Sequence, residues 1–173
     1  MTTDWKTEIA RIIYWKQIAA DHDKDGALPW HLPRVGARSE DISRAEQAVG
    51  VPFSQQFKEF LTFADGWQGF HVATDLFGTR EFLDGRSTAE LQGPELVEFL
   101  ADNDLTKTEV VVIGASNFDA DVFLHISPES RILPGGVLWY AHEEIDRYET
   151  FAEFFAAMVN YNARIAQKMA ADS

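Results

Sequence analysis

The sequence predicts an α+β fold: a largely antiparallel sheet flanked by N-terminal helices and by one long C-terminal helix. Three observations carry this. Apolar residues recur at helical spacing near both ends, over residues 4–20 and 151–169. The middle of the chain changes texture at Trp67, into short β-like pieces punctuated by Gly69, Gly78 and Gly85. The later strand patterns then arrive in a run, before the last helix begins. With 173 residues, the chain is expected to form a single domain, residues 1–173, with a real core.

The elements follow in order. Trp5, Ile9, Ile12, Ile13 and Ile18 keep a period near 3.6, with Asp4 placed to favour the helix dipole. Gly26, Pro29, Pro33 and Gly36 break residues 21–38 into a loop, either functional or packed by its own Trp30 and Leu32. Ser39 is the expected N-cap of a short helix that Gly50 stops. Pro52 and Ser54 open the next, with Phe57, Phe60, Leu61 and Ala64 on one face and Asp65-Gly66 at its end. So short a connection predicts that these two helices are spatial neighbours.

Gln68–Val72, Asp75–Phe77 and Arg80–Leu83 read as short strands, and residues 94–101 as a helix with proline in its first turn. Glu109–Ile113 is a Val-rich strand stopped by Gly114. A second strand runs from Asp121 to Ile126 and a third from Gly136 to Tyr140, on either side of the Ser127–Ser130 turn. Thr150-Phe151-Ala152-Glu153 is a capping box. It opens a long helix with the stripe Phe151, Phe154, Phe155, Met158, Val159, Asn162, Ile165 and Met169.

Charge bounds the partners. The net charge is −13, the opposite of a nucleic-acid-binding footprint and unsuited to anionic membranes. The first fifty residues are close to neutral. Residues 90–153 hold fourteen acids against three bases. That segment either keeps the protein soluble or steers a cationic partner. No apolar run approaches the roughly 20 residues of a membrane span, and no secretory signal pattern opens the chain, so a cytoplasmic location is expected. Cysteine is absent, which excludes disulfides, thiol nucleophiles and Cys-type metal sites.

Several patterns resemble catalytic or ligand motifs and fall short of them. Asp21-His22-Asp23-Lys24-Asp25-Gly26 has the first half of a calcium loop, but Leu32 stands where the closing Glu belongs. Gly114-Ala115-Ser116-Asn117-Phe118 lacks the second glycine of a nucleophile elbow and reads as a turn. The histidines at 22, 31, 71, 125 and 142 make no metal motif and are expected at the surface or hydrogen-bonded. Asp119 and Asp121 would face the same side of a strand, but no His or Lys lies beside them in sequence for acid–base work. No cofactor, metal or catalytic residue is expected.

The middle of the chain carries a further pattern. Ile42-Ser43-Arg44-Ala45-Glu46, Val49-Gly50-Val51-Pro52, Phe57-Lys58-Glu59-Phe60-Leu61 and Ala64-Asp65-Gly66-Trp67 follow one another at close spacing. Asp119-Ala120-Asp121-Val122-Phe123, Gly136–Tyr140 with His142-Glu143-Glu144, and the helix from Thr150 through Phe154-Phe155 follow later. In order and spacing these resemble the SUKH superfamily signature over residues ~39–160. The resemblance implies a protein-binding domain without catalysis. Many bacterial members are immunity proteins that neutralise polymorphic toxins, often nucleases. Others, including a fungal cell-wall synthesis regulator, are regulatory interaction modules.

Two readings follow: an immunity protein bound to a cognate toxin domain or other basic protein, and a regulatory module unrelated to a toxin. In the first, an acidic inhibitor gains on-rate against a basic nuclease. The candidate contacts are Asp119, Asp121, Glu143, Glu144 and Asp146, with Trp67 and Trp139 as aromatic anchors. Tryptophans are highly buried on average, so the core is the competing place for both.

Overall fold

The computed structural model describes residues 2–173. Helix α1, Trp5–His22, starts at Asp4, whose side chain accepts the Thr7 amide as an N-cap. Helix α2, Ser39–Val49, is capped by Arg38 without a side-chain bond, so Ser39 is its first residue and not its cap. Gly50 ends it in the left-handed region at φ 71°. Helix α3, Gln55–Leu61, begins at Ser54, whose hydroxyl accepts the Phe57 amide. Helices α2 and α3 are neighbours, as their short connection predicts, and line one groove with Ile42, Glu46, Lys58 and Glu59. The principal packing of α2 is on a later helix, α4, Thr79–Leu83. The Glu46 carboxylate ties the α2–α3 connection by accepting the Phe53 amide.

Strands β1, Trp67–His71, and β2, Thr74–Leu76, form a hairpin. The β-like reading of Arg80–Leu83 is corrected, because α4 occupies that stretch. The reason is tertiary: the Asp65 carboxylate accepts the Thr79 amide and hydroxyl, both at 2.6 Å, and caps the helix from outside its own segment. Glu81 reaches back to the Gly78 amide. Helix α5, Arg86–Glu90, follows, and α6, Pro94–Asp102, lies where its proline placed it.

Strands β3, Val110–Ser116, β4, Val122–Ile126, β5, Val137–Tyr140, and β6, Glu144–Tyr148, complete the sheet. Its order is β1-β2-β3-β4-β5-β6, antiparallel throughout. Gly114 does not stop β3 but continues it through a register shift. A Cβ there would stand 2.6 Å from the Asp75 carbonyl oxygen and from the Phe123 ring, so only glycine fits. β4 is buried along its whole length, because helices cover both faces of the sheet. The final helix, α7, runs Phe151–Asp172. Thr150 caps it through the Glu153 amide, while Glu153 returns to the Glu149 amide, one residue before the expected one.

The core is aromatic and joins distant elements. Trp5 of α1 packs on Phe60 of α3 and on Phe151 and Phe155 of α7, at 5.4–5.5 Å between centroids. Phe70 of β1 meets Phe123 of β4 and Phe154 of α7. Each such ring contributes roughly 1.5–3 kcal/mol by burial. In the loop before α2, Trp30 is half-buried and Leu32 is 60% exposed, so Leu32 does not pack it.

Candidate interaction surface at the hairpin end

The strand register sorts the loops between two ends of the sheet. His71 pairs with Thr74, closing a tip at 72–73. Thr74 pairs with Ser116, which sets that tip beside the 117–121 turn. Val122 pairs with Tyr140, and Tyr140 with Glu144, which adds the 141–143 turn to the same end. Neighbouring strands lie ~4.8 Å apart, so the three tips follow one another at intervals of about 10 Å.

They form an arc, not a straight row. The ring of His71 on β1 lies 5.3 Å from that of Trp139 on β5, although three strands separate them in the sheet. The sheet therefore curls strongly, and its arc closes on His71, Trp139 and Tyr161 of α7. At two tips a non-glycine residue is left-handed, Val72 at φ 52° and His142 at φ 62°. For the β-branched Val72 this conformation costs on the order of 1–2 kcal/mol.

This end gathers most of the residues that the sequence singles out. Asp119 is exposed on the second tip, and its Oδ1 accepts the Asp121 amide at 3.2 Å. Burial pushes the Asp119 carboxyl up, but hydrogen bonding to Ser116 and Asp121 outweighs it and holds the group below the ordinary range. Asp121 is displaced upward, by burial first and by the neighbouring Asp119 charge, against the opposing Trp139 bond. Glu143 and Glu144 are exposed at the third tip, and Asp146 is exposed on β6 opposite Trp139.

Helix α6 extends the acidic surface. The Glu95 carboxylate pairs with His142 Nδ1 at 3.1 Å. The Tyr140 hydroxyl is pushed up by burial and then by Glu95 and Glu98. Arg147 clamps Glu144 and donates to Asn103 Oδ1 at the end of α6. Among the described residues, Glu98, Asp102, Asp119, Glu143 and Asp146 make no ion pair, so their field is directed at solvent.

The two tryptophans have other roles. Trp67 is fully buried at the far end of β1 from the tip, and its Nε1 donates to the His31 carbonyl oxygen at 2.8 Å. It presents no surface and is not brought together with the acids. Trp139 is 7% exposed, and its Nε1 donates to Asp121 Oδ1 at 2.6 Å. It positions the carboxylate and offers no open ring face.

Beneath the arc lie groups with no obvious signal in the sequence. Lys16 of α1 is buried, with Nζ donating to the Gly69 carbonyl oxygen at 2.5 Å, and burial lowers its pKa to about 8. His71 is lowered to about 4 by burial and then by the Lys16 charge, against an opposing Asp119, and its Nδ1 has no partner. His125 is also lowered to about 4 by burial. Its Nε2 accepts the Ser54 amide, so the proton sits on Nδ1 and is donated to the Gly136 carbonyl oxygen. Two histidines are thus core residues, and the lone polar residues in apolar strand patterns (Phe70-His71, Leu124-His125) were the available clue.

The calcium-like stretch is built as a turn. Asp23 accepts the Ala27 and Leu28 amides, and Asp21 accepts Gln17 from within α1. Among the described residues, no three His, Asp or Glu side chains converge as metal ligands.

The motif spacing described above has a counterpart among known families. A family model described as the SMI1 / KNR4 family (SUKH-1) matches residues 36–159. The chain belongs to this family. The matched span of this SUKH-1 protein takes in α2, every strand and the first turns of α7. Helix α1 lies outside it, yet contributes Trp5 to the centre of the core. No curated protein matches the chain.

The structure explains the signature's Asp65-Gly66 as fold hardware. Arg34 grips the Glu81 carboxylate with both terminal nitrogens, at 3.0 and 2.6 Å, and donates Nε to the Asp65 carbonyl oxygen. Gly66 lies at φ 91°, where a Cβ would strike the Arg34 guanidinium. Asp65, in turn, caps α4.

Proposed function

We propose that this SUKH-1 protein is a non-catalytic protein-binding domain and that it neutralises a cognate bacterial toxin domain with a basic surface. The observation that carries this reading is the convergence of Asp119, Asp121, Glu143, Glu144 and Asp146 at the hairpin end, most of them without a cationic partner. A basic nuclease is the fitting class of toxin, because its substrate is anionic and its binding face complements this one. Steering by such a field raises the association rate and fades with salt.

The alternative role, a regulatory module with a host partner, requires no such complementarity. Capture from the source cell's lysate at low and high salt separates the two. The proposal expects a basic toxin domain, held stoichiometrically and weakened by salt. Retention unchanged by the combined Glu143→Lys, Glu144→Lys and Asp146→Lys reversal would remove this face from the interaction.

A further inference from the structure

Phe118 is the most conspicuous side chain that the fold does not use. It is 87% exposed, at the second hairpin tip. Its loop is nevertheless braced. Ser116 Oγ accepts the Phe118 and Asp119 amides at 3.1 and 3.2 Å, and Asp119 accepts the Asp121 amide. Arg86 donates to Asn117 Oδ1 at 3.0 Å, and is itself held by Asp75 at 3.2 Å and by the Phe77 ring beneath it. The main chain around Phe118 is fixed while the ring stands in water. A rigid, exposed aromatic residue is what a binding hot spot requires, because little ordering entropy remains to be lost.

Phe118 borders a groove of about 470 Å³ that Ala27, Pro29, Gly69 and Asp75 also line. The charge of Arg86 is committed to Asp75, while Asp119, the residue that follows Phe118 in the chain, is exposed and has no ion pair. An exposed aromatic ring followed in the chain by an unpaired carboxylate favours a flat cation. Arginine suits it better than lysine, because guanidinium stacks on rings, grips carboxylates bidentately and is less strongly hydrated.

We propose that this groove receives an arginine side chain of the basic partner, stacked on Phe118 and paired with Asp119. This rests on the hairpin end being the docking surface. The test is a nitrogen-15 NMR titration of the full chain at low salt with a blocked Gly-Arg-Gly-Arg-Gly peptide, against the same peptide carrying Lys or Glu. The expected result is saturable shifts confined to residues 26–29, 68–75 and 117–119, with the lysine peptide about threefold weaker and the glutamate peptide inert. Phe118→Leu should weaken binding by about threefold or more and Phe118→Trp should strengthen it, since indole is the better cation partner. The ring lies outside the core, so these variants keep the native spectrum.

Absence of saturable shifts would overturn the inference, as would equal binding by Phe118→Leu or equal affinity for lysine. If the peptide fails while a basic toxin is still captured through Glu143 and Glu144, only the groove is wrong. If the peptide binds but capture ignores the acidic reversal, the groove stands and the toxin reading falls.

Discussion

Asp65 and Asp119 are both turn aspartates preceding or opening a loop, and they do opposite work. At the Arg34–Asp65–Glu81 junction every carboxylate oxygen accepts a hydrogen bond from within the chain. At the hairpin end the carboxylates of Asp119, Glu143 and Asp146 face solvent without an ion pair. The first region fixes where α4 starts and how the loop before α2 meets the sheet. At the second, Asp119 and Asp146 accept only main-chain amides within their own segments, and their charge stays presented to solvent. An acidic residue's role thus follows from whether its hydrogen bonds tie separate segments together or stay within its own.

The sharpest test of that contrast is Arg34→Ala. It strands the Glu81 carboxylate, which is only 7% exposed, and should cost about 3 kcal/mol in denaturant unfolding. A loss below about 1 kcal/mol would show that the junction is no more structural than the hairpin end.

Acid provides the next largest effect. His125 and His71 are lowered to about 4 from 6.5, so below pH 6.5 the unfolded chain takes up protons that the folded chain refuses. Stability is therefore unaffected by these groups above pH 6.5 and falls as pH drops from 6.5 towards 4. For the fully buried His125 the loss approaches about 3 kcal/mol at the bottom of that window. Imidazole NMR shifts of both residues should stay constant between pH 7.5 and 5.5. Titration of either near 6.5 would contradict its burial.

Thr150→Ala removes the cap of α7 and should cost about 1 kcal/mol by the same unfolding measurement, with Thr150→Ser restoring most of it. The smallest effect on stability belongs to Glu143→Lys, within about 0.5 kcal/mol of the parent, because the side chain is exposed and unpaired. A large destabilisation there would erase the distinction between the two regions.

Local chemistry made much of the fold readable. Gly50 needs φ > 0, Ser54 and Thr150 cap their helices, and the α7 stripe repeats at helical period. Those are interactions between residues a few positions apart. The two largest misreadings share the opposite property. Arg80–Leu83 is helical because Asp65, far back in sequence, caps it. Strand β6, Glu144–Tyr148, was missed because four of its five residues are exposed and carry no alternating signal; pairing with β5 alone defines it.

The candidate surface divides the same way. The acids and their excess over residues 90–153 are a property of the sequence. Their convergence is not, since it depends on the register that sets three hairpin tips side by side and on a curl that brings β1 to β5. The burial of Trp67 and the exposure of Phe118 are likewise tertiary outcomes. Composition and short-range spacing determine which groups a chain possesses and which turns and helices they start. Which groups meet, and which remain facing water, is decided only when long-range packing excludes solvent from one set and not from the other.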